Sequence, residues 1–295
     1  MSVSLSIIIP VYNDPDGISN TLRSLRKQTC SVDGYEIIVV DNDSTDETRQ
    51  IAAEIAADTK NTIVVDETDV QSSYAARNTG IEYASGEILA FVDADMTVPA
   101  TWVEELLALF ERRAVDYVGC DVKLYIEGSE TIIGKYNVAT GFAIEHYVTE
   151  RNFAPTCCLA VRRAVLSDVG SFDSNLISSG DLEFGQRVAA AGYTQYFAGE
   201  LTMYHPARKT VSALRSKALR VGRGHEQLST KYSEYSDARP ITDPRNVLPP
   251  HPGNFRKRLT GSHSVSTLLA FYLLAYIYKL HLLAGRIIER RITRQ

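Results

Sequence analysis

Along the first hundred residues, short aliphatic runs alternate with stretches whose apolar positions recur every three or four residues. SLSIIIPVY (4–12) reads as a β-branched strand ended by Pro10, and Ile18, Leu22 and Leu25 give residues 15–28 helical spacing. YEIIVVDND is a second apolar run that stops at acids. Residues 45–59 follow as an amphipathic helix, opened by Ser44-Thr45-Asp46-Glu47 in the manner of a helix N-terminus. NTIVVDE predicts a third strand, 72–85 a third helix and EILAFVDAD a fourth strand, after which Pro99 opens the helix TWVEELLALFERR.

Strands separated by helical patterns of this length imply βαβ units, hence a mainly parallel sheet covered by helices. The cores of the strands (IIIPV, IIVV, TIVV, ILAFV) are almost continuously apolar, as burial on both faces requires. Ligands of such α/β sheets bind beyond the carboxyl ends of the strands. Here those ends carry Tyr12-Asn13-Asp14, Asp41-Asn42-Asp43, Asp66-Glu67 and Asp93-Ala94-Asp95, so acids converge on one rim.

From residue 115 onward the pattern changes to shorter strands (DYVGCDVKLYI, CCLAVRR) mixed with helical stretches near 135–147 and 181–192. Residues 233–255 hold five of the ten prolines and read as a linker. The expected organisation is a domain over 1–230, with a nucleotide-binding half to about 115 and an acceptor half over 116–230. A linker (231–255) and a helical tail (256–295) complete it. The overall charge of −5 conceals a strong asymmetry: residues 1–200 carry 14 basic and 31 acidic side chains, residues 201–295 carry 17 and 5. A basic tail on an acidic body points to an anionic partner for the tail.

Composition excludes several classes. With 44% hydrophobic residues the chain is neither disordered nor fibrous, and Cys30, Cys120, Cys157 and Cys158 are too few for a disulfide scaffold and lack CxxC spacing. Reduced, buried thiols are expected, as in a cytoplasmic protein. The N-terminus has no basic region or long apolar stretch of a signal peptide. There is no G-x-G-x-x-G after the first strand, no P-loop, no G-x-S-x-G elbow and no H-E-x-x-H, and nothing marks a nucleic-acid binder. Asp93-Ala94-Asp95 is the candidate chemistry. Just past the strand's end the chain can turn, and a turn there lets both acids approach a single cation. Oxygen ligands with open positions suit Mg²⁺ or Mn²⁺ bridged to a diphosphate.

SIIIPVYND, EIIVVDNDSTDET, AARNTGIEYASGEILAFVDADMTV and SSGDLEFGQRVAAAGY, in that order over residues 4–227, resemble an inverting family-2 glycosyltransferase. The resemblance implies the GT-A fold, a Rossmann-like nucleotide-sugar-binding domain with a mostly parallel central sheet, here followed by the C-terminal helical tail. It further implies that Pro10, Tyr12 and Asp14 pack around the nucleotide base, with Asp14 standing where a Glu is usual. By the same correspondence Asp41 hydrogen-bonds the base, with Asp43 and Ser44 as its neighbouring turn, and Arg77 approaches the nucleotide. Asp93 lies on the ribose side with Ala94 beside it, Asp95 binds the metal, Asp181 is the general base, and His205 in MYHPARKT reaches the metal or diphosphate.

The departures from the family pattern matter as well. Gly180 precedes Asp181 where a Glu is usual, and Glu183 is a rival base two residues on. The Q-x-x-R-W of processive synthases is missing, since Gln186 is followed by Arg187 and Val188 and the only tryptophan is Trp102. The expected activity is therefore metal-dependent, inverting addition of a single sugar from a UDP- or GDP-linked donor to an acceptor hydroxyl, on a glycan or a lipid-linked one. A glycosyltransferase-like scaffold without turnover is the non-enzymatic alternative, and a sugar-phosphate nucleotidyltransferase the enzymatic one; PVYND lacks the latter's Gly-rich loop. In the tail, LLAFYLLAYIY (268–278) is eleven residues long against the 18–20 of a bilayer span. Arg256-Lys257-Arg258 precede it and Arg286, Arg290, Arg291 and Arg294 follow. A peripheral helix on the anionic cytoplasmic face of a membrane, a packing or dimerisation helix, and a full span remain open as readings of this segment.

Overall fold

The computed structural model describes residues 3–293; of the basic cluster after the apolar run, Arg294 lies outside them. In chain order the elements are β1 (Leu5–Val11), α1 (Pro15–Leu25), β2 (Tyr35–Asp41), α2 (Thr48–Ala57), β3 (Thr62–Asp66), α3 (Ser73–Tyr83), β4 (Ile88–Phe91) and α4 (Trp102–Arg112). Then come β5 (Tyr117–Tyr125), α5 (Ile132–Thr140), α6 (Ile144–Arg151), β6 (Leu159–Arg162), α7 (Arg163–Val169), α8 (Gly180–Ala190) and β7 (Gln195–Pro206). The helices α9 (Val211–Lys231), α10 (Pro252–Lys257) and α11 (Val265–Ile292) complete the chain.

The seven strands form one sheet in the order β3-β2-β1-β4-β6-β5-β7. β3, β2, β1 and β4 are mutually parallel, and β6 runs antiparallel to both β4 and β5. This is the doubly wound, mostly parallel sheet that the apolar runs predict, and Ile7, Ile8, Ile9, Ile38, Val39 and Val40 are fully buried within it. Pro10 does not end β1 as expected: it pairs in register with Val40, and the strand continues to Val11. The β4 ladder stops at Ile8–Phe91, so at Pro10 the strand has only its β2 neighbour to satisfy. α3 lies so close on β1 that a Cβ at Gly80 would strike Ile8. Glycine there brings the preceding turn of the helix, with Arg77, over the sheet.

Two further local expectations change. The helix after β2 starts at Thr48 rather than 45, because the Asp46 carboxylate accepts from the Thr48 N–H (2.9 Å) while Ser44 and Thr45 bind the β1 loop. The helical stretch near 135–147 is two helices, α5 and α6, separated at Gly141, whose φ of +45° suits glycine. All four cysteines are free thiols, three of them buried.

The chain divides into two interleaved compact units. The first comprises residues 1–122, 143–175 and 184–205, and contains most of the sheet. The second comprises 123–142, 176–183 and 206–295. Its core is Ile133, Tyr136, Ala139, Leu214 and Phe271, flanked by Phe255, Leu259, Leu274, Ala275 and Tyr278.

Candidate active site

In the first unit, the loops that leave β1, β2 and β4 emerge from the carboxyl edge of the sheet. Asn13, at φ +49°, accepts from the Thr45 N–H through its side-chain oxygen (2.8 Å), while its own N–H donates to Ser44 Oγ (3.0 Å). The loops after β1 and β2 are thereby tied together. Asp41 sits at this junction and is buried; its Oδ2 accepts from the Ser44 N–H (3.0 Å), and its Oδ1 has no hydrogen-bond partner among the described residues. A buried acceptor left unmatched is costly, of order 1–3 kcal/mol, and marks a place where a donor from a ligand would be satisfied. Asp43 is exposed and takes up the left-handed turn conformation (φ +63°), whereas Tyr12 presents a largely exposed ring beside the loop. Asp14 has a clear structural job: it caps α1, its Oδ1 accepting from the Gly17 N–H at 3.0 Å. Burial is the main cause that raises its carboxyl above the ordinary aspartate range, with the Gly17 bond opposing and Asp16 and Asp46 adding.

Beyond β4 the chain turns, closed by the Met96 N–H on the Asp93 carbonyl (3.1 Å), and the two acids of the triplet part company. Asp93 takes a 2.6 Å bond from the Arg77 guanidinium. Arg77 is buried, also donates to the Ser73 carbonyl (3.1 Å), and packs over the Tyr74 ring, itself stacked with Phe172. Asp95 instead faces His205, whose Nε2 is 3.6 Å from its Oδ2. A pair of hydrogen bonds between Thr97 and Tyr204, each 2.9 Å, produces this meeting by pinning the strand end of β7 beside the turn after β4. Thr21 secures the turn from α1, its hydroxyl within hydrogen-bonding distance of the Ala94 and Met96 carbonyls (2.7 and 2.6 Å). Ala94 is buried between the two acids.

A half-buried carboxylate and a buried imidazole this close suit a divalent cation. Two ligands at right angles, each about 2.1 Å from an ion, stand about 3 Å apart, so the 3.6 Å pair would close by roughly 0.6 Å to share one. Among the described residues no group of three or more His, Cys, Asp or Glu is arranged to hold a metal alone. The remaining positions would therefore fall to substrate oxygens and water, as in sites where a cation bridges to phosphates.

The second unit carries the remaining predicted residues. Asp181 lies in the first turn of α8 and is half-buried, its Oδ1 accepting from the Leu182 N–H (2.9 Å). Glu183, the rival base, is buried. The loop before them is anchored to α9: the Ile177 N–H donates to Gln227 (2.8 Å), and a Cβ on Gly224 would collide with Ser178. Ser179, at φ +69°, turns the chain into the helix. The Arg77–Asp93 pair and the clamp from Thr21 were not foreseen from the sequence, because each joins segments distant along the chain and no local pattern signals it.

The family model described as "Glycosyl transferase family 2" matches residues 6–170. A protein named Glycosyltransferase AglE, from Haloferax volcanii, is 39% identical over 224 residues, covering 76% of this chain and 73% of that protein. An Escherichia coli protein named UDP-Glc:alpha-D-GlcNAc-diphosphoundecaprenol beta-1,3-glucosyltransferase WfgD is 29% identical over 160 residues, 53% of this chain and 58% of its own. Among solved structures, the mannosyltransferase PcManGT from Pyrobaculum calidifontis, in complex with GDP-Man and Mn²⁺, superposes with a TM-score of 0.67 at 20% identity, covering 98% of this chain and 87% of that one. S. aureus TarS 1–349 with UDP-GlcNAc gives 0.59 at 20% identity, over 99% and 92%. At such identities the superpositions establish the shared fold.

Proposed function

The chain belongs to glycosyltransferase family 2, and on that premise we propose that it transfers one sugar, with inversion, from a nucleoside-diphosphate sugar to an acceptor hydroxyl with the help of a divalent cation. The observation that carries this reading is the Asp95–His205 pair at the carboxyl edge of the parallel sheet. Asp95 and His205 would hold the ion, and the mixed oxygen and nitrogen donors suit Mn²⁺ well, with Mg²⁺ as the alternative. When bound, such a cation neutralises charge developing on the departing diphosphate.

The chain's own residues supply the rest. Asp41 Oδ1 accepts an N–H from the nucleobase; an acceptor-only carboxylate serves uracil or guanine equally, and Tyr12 offers its ring face alongside. Pro10 and Asp43 shape the loops on either side, and Asp14 holds the first of them by capping α1. Arg77, fixed by Asp93, brings positive charge toward the phosphates and leaves the Asp93 carboxylate oriented for the ribose. Asp181 takes the proton of the acceptor hydroxyl while its oxygen attacks the anomeric carbon from the side opposite the leaving nucleoside diphosphate. Its partial exposure, against the burial of Glu183, favours Asp181 for that task.

The mannosyltransferase neighbour holds GDP-Man and TarS holds UDP-GlcNAc, which supports a GDP- or UDP-linked donor. The diphosphoundecaprenol acceptor in the name of the E. coli relative supports a lipid-linked acceptor, met at an anionic membrane surface by residues 256–295. Free thiols and a nucleotide-sugar donor fit work in the cytoplasm, at the cytoplasmic face. The test is a panel of UDP- and GDP-sugars with Mn²⁺, scored for transfer to hydroxyl acceptors and for the anomeric configuration of the product by NMR. Transfer with inversion, abolished in Asp181→Asn with donor affinity retained, is expected. Retention of configuration, or full activity in that variant, would refute the assignment.

A further inference from the structure

In the second unit, α11 has three distinct faces. The inner one packs on α9 so tightly that a Cβ on Gly222 would strike the Leu282 carbonyl and one on Gly285 the Leu219 carbonyl. It also carries two ion pairs with α9, Arg286–Glu226 at 2.9 Å and Arg223–Glu289 at 2.7 Å. The second face is a line of Tyr272, Tyr276 and Lys279, four and three residues apart, that binds the strap 245–250 by its backbone. Tyr272 donates to the Pro250 carbonyl (2.7 Å), Tyr276 to that of Val247 (2.8 Å), and Lys279 to those of Arg245 and Leu248 (2.7 Å each). With its carbonyls turned to the helix, the strap leaves the side chains of Val247 and Leu248 50% and 55% exposed.

The third face, adjacent at helical spacing, presents Val265, Leu269, Leu273 and Leu280, with Leu269 at 66% and Leu273 at 58% exposed. Strap and helix thus join in one exposed aliphatic surface, a feature that marks an interaction site. Cations border it. Phe255 packs edge-on against Tyr272 (5.4 Å between ring centres), which sets the exposed Arg256, Lys257 and Arg258 beside the stripe. Of the five acids in residues 201–295, Glu226 and Glu289 face inward and Asp243 is paired with Arg245.

We propose that this surface is a monotopic docking face for an anionic phospholipid bilayer, with α11 lying in the membrane plane. Val247, Leu248, Leu269 and Leu273 enter the boundary between headgroups and acyl chains, and the bordering Arg and Lys meet lipid phosphates. The proposal rests on the membrane-surface part of the reading above and gives it an orientation and a contact set. The apolar run of eleven residues understates the helix: α11 has 28 residues and is long and apolar enough to cross a membrane by composition. Its partner argues against a crossing. α9 runs beside it from the Leu214–Phe271 cluster to the Glu226–Arg286 pair and bears Arg215, Lys217, Arg220 and Arg223, all of which a span would carry into hydrocarbon. An in-plane helix keeps them wet.

The test uses the full chain and phosphatidylcholine vesicles with and without about 30 mol % phosphatidylglycerol, read by co-sedimentation. Wild type should bind the anionic vesicles, release at high salt and come off membranes in alkaline carbonate. Leu248→Glu/Leu273→Glu should weaken binding by about tenfold or more while leaving transfer to a water-soluble acceptor unchanged, which separates failure of docking from failure of the enzyme reading. Replacing Arg256, Lys257 and Arg258 by Gln should weaken binding and flatten its salt dependence. Resistance to carbonate would mean a span and overturn the proposal. So would unaltered vesicle binding by the Glu variants, or a dimer in light scattering that those variants dissociate, because the face would then belong to a second copy.

Discussion

Arg77 and Asp93 offer a test of how the site is held together. The guanidinium is almost fully withdrawn from water, with 4% side-chain exposure, and makes its shortest bond, 2.6 Å, to a carboxylate that is 37% exposed. Removing one member of a fully buried pair costs about 3–5 kcal/mol, since the other is left charged and dry. Here the two directions differ. In Arg77→Met, Asp93 can regain water, so the loss reduces to a charge-assisted bond and the Ser73 contact, about 1.5–3 kcal/mol. In Asp93→Asn, the arginine stays buried with a weaker acceptor, and the loss should be at least as large despite the smaller change in shape. The double variant should then recover part of the sum, a coupling of about 1–2 kcal/mol between the residues. Urea unfolding of the four proteins, followed by a probe in the sheet-containing unit, measures it. Coupling indistinguishable from zero would refute the claim that the pair acts as one device. Nucleotide titration of the same set should show both single variants losing donor affinity.

Asp14 separates capping from ligand contact: Asp14→Ala should destabilise the chain by about 1 kcal/mol through loss of the α1 cap, and Asp14→Asn, a cap of equal quality without the charge that burial disfavours, should be neutral or stabilising at pH 7 in thermal unfolding. Acid should unfold the chain partly through Asp66 and Glu67. Bonds from Arg49 to Asp66 and from Thr79 to Glu67 hold both carboxyls below their ordinary values. Their contribution is complete above the unfolded-state values of 3.8 and 4.5 and disappears as pH falls through the lowered ones. Thr79→Val should therefore lower stability at pH 7 and leave a shallower loss on acidification. Arg286→Met alone should be strongly destabilising because it strands buried Glu226, and adding Glu226→Leu should restore much of the loss in urea unfolding.

The parallel half of the sheet was legible because its strands are apolar on both faces, which leaves little ambiguity of period: IIIPV, IIVV and ILAFV admit burial and little else. β7 was not set out as a strand of twelve residues. QYFAGELTMYHP mixes buried and exposed positions without strict alternation, as a strand at the end of the sheet order can. The acids at the strand ends could be read as a rim from topology alone. The different partners of Asp93 and Asp95 could not, since they depend on a turn and on the Thr97–Tyr204 bridge between distant segments. Asp14 shows the limit of carrying a role over by motif, for its position also makes it a cap, a function visible only once Gly17 is seen to donate to it. The full extent of α11 was masked by Lys279, Arg286 and Arg290, which interrupt the apolar run in sequence but leave its outer stripe intact on the helix.

The proposed task of Asp95 and His205 is to hold a cation for a nucleoside-diphosphate sugar. Calorimetric titration of UDP and GDP into the wild type, Asp95→Asn and His205→Ala, each with and without Mn²⁺, tests it most directly. Mn²⁺ should strengthen binding to the wild type, and either substitution should abolish that increment while leaving metal-free binding nearly unchanged. Equal Mn²⁺ enhancement in all three proteins, or no enhancement in the wild type, would contradict it.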